Sequence, residues 1–302
     1  MGSTRSSRTR ALSHALVTPA RDDAARLAAL APTVVGQTLR AAAWVIVDDG
    51  SNDETAQVAR ELADDYPWIV LVSTGRGQEG LHQGRWEGRV LLSLQRGLCA
   101  LPGPVDLITK LDADLTLPLD YFERLVAAFV ADRHLGMASG TRFELEDGLW
   151  EPRHLTGSAV AAQCRTYRLA CWEAVQPLEP HLGWDGVDEA RAVLKGWRTR
   201  VVPGVSFRHY RPMGTRDGSR LRARTAEGVA AHYMGYRPSY LMVRSLWHAR
   251  RDPSALGMLW GWATAAARRE PRCEDTVRAY VRRQQSARHF ARRLREVRHG
   301  TR

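Results

Sequence analysis

Cysteine is scarce in this sequence and nowhere paired: Cys99, Cys164, Cys171 and Cys273 are scattered without a Cys-x-x-Cys spacing. That pattern offers neither a zinc clasp nor a disulfide framework, so a reducing cytoplasm is the expected compartment, with attachment to the inner membrane face as the open alternative. Long apolar runs are missing too. No stretch reaches the roughly 20 apolar residues that a membrane-spanning helix needs. The best candidate, Ala255 to Ala267, is bracketed by Arg250, Arg251, Arg268 and Arg269 and reads as a packed or interfacial helix. The N-terminus lacks an apolar core of signal-peptide length. No internal repeat and no helix-turn-helix, zinc or RNP-type signature is found. Acid is the minority charge, with 33 Asp and Glu against 44 Lys and Arg, a formal net charge of +11. Such a chain attracts polyanions, whether nucleic acid, anionic lipid or nucleoside diphosphates, although solvated Arg-rich helix faces account for part of the excess.

What is present has the size and composition of a soluble α/β protein. With 302 residues, 44% hydrophobic and 25% charged, the chain can hold one large domain with an appendage. The segment Trp44-Val45-Ile46-Val47-Asp48-Asp49-Gly50-Ser51-Asn52-Asp53-Glu54-Thr55 is the most informative. An apolar, β-branched strand runs directly into two carboxylates and a turn. The strand end thus delivers acid to the crevice where open α/β sheets bind ligands. Ser51 with Glu54 three residues later predicts a capping box at the start of the next helix.

A second junction of this kind lies downstream. Val105 to Leu111 reads as a buried strand ending in Asp112-Ala113-Asp114. In extended chain, residues i and i+2 face the same way, so both carboxylates can enter one pocket. Hard oxygen ligands placed so closely suit Mg²⁺ or Mn²⁺ shared with substrate phosphates. Pro118 and Asp120 then open a helix from Tyr121 to Val130.

These segments, taken in order with the first strand and turn Val17-Thr18-Pro19-Ala20-Arg21-Asp22-Asp23 and the basic Gly88-Arg89 and Gln95-Arg96-Gly97, resemble the family 2 glycosyltransferases of the GT-A fold. Arg21 stands where that family usually has Asn. The second half is similar more loosely. Gly183-Trp184-Asp185-Gly186-Val187-Asp188-Glu189 occupies the place of the family's acceptor motif, and Phe207-Arg208-His209-Tyr210 that of a segment often carrying a metal-binding His. The carboxylates there are spaced Asp-x-x-Asp-Glu and not Glu-Asp.

The resemblance implies a Rossmann-like, mainly parallel twisted sheet with helices on both faces. It implies an inverting transfer of a sugar from a nucleoside diphosphate donor, UDP first with GDP and dTDP as alternatives, to an acceptor hydroxyl or phosphate. Thr18, Asp49, Arg89 and Asp112 would contact the donor nucleotide. Asp114, Asp112 and His209 would hold Mn²⁺ or Mg²⁺. A base must take the acceptor's proton, and Asp188 and Asp185 are the candidates, with Glu189 third; Asp188 could instead cap a helix from Glu189 to Leu194.

Along the chain, residues 1–14 form a basic tail, 15–212 the catalytic domain and 213–302 an Arg-rich helical extension. Residues 142–156 read as a loop and Ala159 to Val175 as a helix. Val277 to Val297 reads as a cationic amphipathic helix, bound to an anionic membrane surface or packed on its own domain. Two other functions compete: a basic nucleic-acid binder on an α/β scaffold, and a nucleotidyltransferase. Clustered crevice acids oppose the first, and the absence of a Gly-rich loop after the first strand opposes the second.

Overall fold

The computed structural model describes residues 12–74, 86–146, 148–153, 160–210 and 219–286. Alternating strands and helices open the fold: β1 (His14–Ala20), α1 (Ala24–Val35), β2 (Ala43–Asp48), α2 (Thr55–Asp65), β3 (Ile69–Ser73), α3 (Trp86–Cys99) and β4 (Leu107–Leu111). These four strands pair in parallel in the order β3-β2-β1-β4. The chain therefore reverses its direction of winding between β1 and β4, and a crevice opens there at the strands' carboxyl ends.

The sheet continues through β5 (Leu115–Thr116), β6 (Leu135–Glu146), β7 (Leu149–Pro152), β8 (Cys164–Arg168) and β9 (Arg198–His209), with α4 (Tyr121–Ala131), α5 (Leu169–Ala174) and α6 (Trp184–Leu194) between them. β8 runs antiparallel between β4 and β6, and β9 runs parallel to β6 and antiparallel to the short β5. After β9 come α7 (Arg220–Tyr233), α8 (Pro238–Ala249), a 3₁₀ turn (Pro253–Leu256), α9 (Gly257–Ala267) and α10 (Asp275–Gln284).

Strand periodicity separates the core into two. Leu16, Trp44, Ile46 and Leu107 face one side of the sheet and pack with α1 and α4. Their neighbours Val17, Val45, Val47 and Ile108 face the other, against α3, α5, α6 and α10. Each such side chain taken fully from water contributes about 1.5–3 kcal/mol. Gly97 is required by this packing, because a Cβ there would overlap Val17 and press on Val47.

Four local expectations are corrected. The capping box does not form: α2 starts at Thr55, whose N–H and hydroxyl both donate to Asp53, while Ser51 Oγ accepts from the Asp22 N–H. The segment read as a loop from residue 142 is the hairpin of β6 and β7 where it is described. The segment read as a helix from Ala159 contains β8, followed only by the short α5. Finally, α6 begins at Trp184 after Gly183 in a left-handed conformation (φ 89°), so Asp188 lies inside the helix and caps nothing. The basic tail as far as residue 11, residues 211–218 and the chain from 287 lie outside the described residues.

One core residue makes stability depend on pH. His14 is buried against Phe122, with ring centroids 5.1 Å apart, and its Nε2 meets no hydrogen-bond partner among the described residues. Burial pulls its imidazole down to about 4. Below the unfolded value of about 6.5 the unfolded chain binds a proton that the native state refuses, so stability falls as pH drops toward 4. Between about pH 7.5 and about pH 5 this amounts to about 2 kcal/mol. Denaturation of wild type and His14→Leu at both pH values should show wild type losing more by that amount. Equal losses would mean that His14 takes up its proton in the native state.

Candidate active site

Three groups of side chains gather around the carboxyl ends of β1, β2 and β4. The first belongs to the turn after β2. Asp48 holds the turn itself, its carboxylate accepting from the Ser51 N–H at 3.1 Å and from Ser73 Oγ at 3.4 Å. Gly50 supplies the positive φ (70°) that reverses the chain. Asp49 is paired with Arg89 of α3, Nε to Oδ2 at 2.8 Å, and accepts from Thr74 Oγ1 at 3.3 Å. Burial raises the Asp49 carboxyl above its ordinary range, against the hydrogen bond from Thr74 and the charges of Arg21 and Arg96. Thr18 does not join them: its hydroxyl is fully buried and accepts from Trp44 Nε1 at 2.9 Å. The hydroxyl of this residue, expected to contact the nucleotide, is thus engaged by Trp44.

The second group forms where β4 meets β5 and β9. Antiparallel pairing sets His209 opposite Leu115, which brings its Nε2 to 3.4 Å from Asp114 Oδ1. On its other side His209 Nδ1 lies 3.3 Å from Glu144 Oε1. Arg142 and Arg153 flank that carboxylate at 3.4 and 3.0 Å. Burial alone would lower the His209 imidazole, but hydrogen bonds to Asp114 and Glu144 and the charge of Asp114 outweigh it and raise it to about 9. Asp112 goes elsewhere. It takes an ion pair from Lys110 Nζ at 2.5 Å, and the same ammonium donates to the Ala162 carbonyl. Burial raises the Asp112 carboxyl, with Lys110 opposing and Asp114 reinforcing the rise.

The third group is on α6. Asp188 is completely buried and receives Arg165 Nη1 at 2.7 and 3.0 Å and the Tyr167 hydroxyl at 2.6 Å. Burial pushes its carboxyl up to about 6 against the pull of Arg165 and Tyr167. An acid so enclosed faces the interior and not solvent, where the expected base would meet an acceptor. Glu189 accepts from Thr199 Oγ1 at 3.1 Å. Asp185, in the first turn of α6, stays partly exposed, and its carbonyl accepts from Arg165 Nη1 at 2.6 Å.

Sequence reasoning missed Arg142, Glu144, Lys110 and Arg165. A signal existed for the first two: they stand two residues apart, the strand period, but in a segment read as a loop. Among the described residues no three His, Cys, Asp or Glu side chains form a ready-made cation site. The donor set nonetheless suits a hard divalent ion, since a carboxylate oxygen of Asp114 and an imidazole nitrogen of His209 face one another and substrate oxygens could complete the shell.

Residues 15–182 match the sequence profile of glycosyl transferase family 2. The chain belongs to that family and is a glycosyltransferase. Solved structures show the same GT-A fold. A mannosyltransferase from Pyrobaculum calidifontis, in complex with GDP-Man and Mn²⁺, superposes with a TM-score of 0.55 at 15% identity, over 86% of this chain and 76% of that one. GalNAc-T7 with UDP, GalNAc and Mn²⁺ gives 0.57 at 15% identity over 82% of this chain, which spans only 52% of that protein. S. aureus TarS 1-349 with UDP-GlcNAc gives 0.52 at 14% identity, over 73% and 66% of the two chains. No curated protein matches in sequence.

If Asp188 anchors α6, removing it leaves Arg165 buried without its main counter-charge. Asp188→Ala should cost about 3–5 kcal/mol in chemical denaturation, while the Arg165→Met/Asp188→Leu pair should lose less than either single change. A stable but inactive Asp188→Ala protein would restore that residue as candidate base.

Proposed function

We propose that this glycosyltransferase moves a sugar from a nucleoside diphosphate donor, UDP-sugar before GDP- or dTDP-sugar, to an acceptor hydroxyl or phosphate with inversion at the anomeric carbon. The observation that carries the reading is the convergence of Asp114, in the turn after β4, and His209, at the end of β9, with the Asp49–Arg89 pair at the end of β2. A bound Mn²⁺ or Mg²⁺ would supply positive charge to the departing diphosphate. Asp114 and His209 would hold it, their oxygen and nitrogen already facing one another at 3.4 Å. Asp112, paired with Lys110, is better suited to orient the donor than to lie in the ion's shell. Asp49 and Arg89 would grip the nucleotide. Arg89 is partly exposed and can turn toward phosphate or base without leaving the crevice.

The acceptor's proton needs a base, and Asp185 takes that role in this reading. Its side chain is accessible while its backbone is fixed through Arg165, directly across the sheet from Lys110 in the β4–β8 register. Inversion in a single displacement then requires no covalent intermediate. The acids Asp49, Asp112, Asp114 and Glu144 around one crevice disfavour the nucleic-acid reading, because they would repel a phosphate backbone. We read residues 15–212 as the catalytic domain and 213–302 as a helical extension. The small separate core of Ala231, Leu241, Ala255 and Met258 supports that division.

Calorimetric titration with UDP, GDP and dTDP, each with Mn²⁺ and with chelator, tests the donor site. Metal-dependent binding of one of them is expected in wild type and in Asp185→Asn, and its loss in Asp114→Ala. Transfer should vanish in both variants. Unchanged metal-dependent binding by Asp114→Ala would remove that residue from the ion's shell, and normal turnover by Asp185→Asn would end its candidacy as base.

A further inference from the structure

The helices after β9 leave unusual surface uncovered. One face of α8 carries Met242, Val243, Leu246 and Trp247, all exposed, with Trp247 at 65%. At about 100° per residue these four fall within an arc of about 140°, so they form a continuous apolar face. The opposite face of α8 is already used, with Leu241 and Ser245 buried. Helix α9 repeats the pattern. Trp260, Ala263 and Ala267, with Leu256 at the end of the preceding 3₁₀ turn, are exposed at helical spacing, with Trp260 at 68%. Its buried side, Met258, Gly261 and Ala265, is packed on α7 so closely that a Cβ at Gly261 would overlap the Thr225 carbonyl. Neither helix can therefore turn its apolar face inward by rotating.

The charge along these two helices is mostly of one sign, although Arg244 pairs with Glu227 of α7. Residues 238–269 contain five arginines (Arg244, Arg250, Arg251, Arg268 and Arg269) and a single acid, Asp252. That acid is occupied, accepting from Ser254 and pairing with Arg224. Arg250 and Arg251 lie exposed between the two helices, and Arg268 and Arg269 lie exposed after the second. The Arg250 guanidinium stands 4.8 Å over the Trp247 ring, joining the cationic and aromatic parts of one surface.

We propose that the exposed faces of α8 and α9 dock the enzyme on a bilayer rich in anionic phospholipid, lying in the plane of the interface. Apolar faces carrying Trp and edged with Arg match the boundary between headgroups and acyl chains, where Trp settles and Arg meets lipid phosphate. A second copy of this chain is a poorer occupant, since each copy carries a formal charge of +11 and would bring the same arginines together. Spanning is excluded for these helices, as none of the described helices is long and apolar enough to cross a membrane. The sequence pointed to the amphipathic stretch from Val277 for such contact. In α10, however, Val277 and Val281 are buried with the sheet core beside α6, so the described part of that stretch spends its apolar face internally. The proposal does not rest on the donor or the acid–base roles assigned above.

Co-sedimentation of the full chain with sucrose-loaded vesicles tests it, comparing phosphatidylglycerol–phosphatidylcholine mixtures with phosphatidylcholine alone. Wild type should bind the anionic vesicles, bind the neutral ones weakly, and be released in part by salt. Trp247→Ser/Trp260→Ser should fold with an unchanged Tm, because both rings are exposed, yet bind anionic vesicles about tenfold less. Undiminished binding by the double variant would place any lipid contact elsewhere on this basic chain and overturn the proposal. So would absence of wild-type binding, equal binding to neutral vesicles, or a dimer that the double substitution abolishes.

Discussion

The guanidinium of Arg165 is the constraint on which the placement of the site depends. It is buried from water, so the donors of its two terminal nitrogens are met by the protein. Asp188 meets them from α6, the Asp185 carbonyl from the same helix, and the Val160 carbonyl from the chain entering β8. Taking such a pair out of water offsets most of its own attraction, which makes it a poor source of stability and a strict source of geometry. A shift of α6 by one residue would leave a charge unmatched in the core. The helix that presents Asp185 is thereby locked to the strand next to the one that ends in Asp112 and Asp114.

A second regularity follows from the crevice itself. Asp49 is answered by Arg89, Asp112 by Lys110, Asp114 by His209, and Glu144 by Arg142 and Arg153. Each of these acids thus has a basic side chain of the protein close by, which lowers their mutual repulsion in the crevice. The consequence concerns binding. Under the proposed function, a donor diphosphate arriving with a divalent ion would exchange partners with groups already ordered in place, and so would meet a site whose side chains need little further immobilisation. The raised His209 imidazole and the lowered Glu144 carboxyl are two ends of this arrangement; for Glu144, burial alone would act upward, and His209 with the flanking arginines reverses it.

The parts of the fold legible in the sequence were those set by local periodicity. Trp44 to Asp48 and Leu107 to Leu111 are apolar runs that stop in acid, and both are strands whose ends reach the crevice. What could not be read depended on partners distant in the chain. Residues 164–168 resemble helix in isolation, with Ala161, Leu169 and Ala170 around them, yet become strand because β4 and β6 offer backbone partners on both sides. Ser51 and Glu54 have the spacing of a capping box, but the Asp22 N–H competes for Ser51 and leaves Asp53 to organise the helix start. Asp188 looked like a cap or a base because Arg165, 23 residues earlier, carries no local mark of its partner. Thr18 has the position of a crevice residue on β1, and only the neighbouring strand reveals that Trp44 claims its hydroxyl.

The same logic distinguishes the two carboxylates of the Asp112-Ala113-Asp114 triplet, which sequence treats alike. Lys110 precedes Asp112 by the strand period, so its ammonium projects from the same side and reaches that carboxylate. Asp114 lies beyond the end of β4, where the chain turns into β5, and its carbonyl accepts the Tyr210 N–H at 2.9 Å. That backbone bond brings β9 alongside and, through the antiparallel register, sets His209 against the Asp114 side chain. A single step of register in the short β5 would send the imidazole to the opposite face and leave Asp114 without it. The difference in surroundings between two nearly adjacent acids is therefore written in a lysine inside the preceding strand and in the pairing of a two-residue strand with the end of β9.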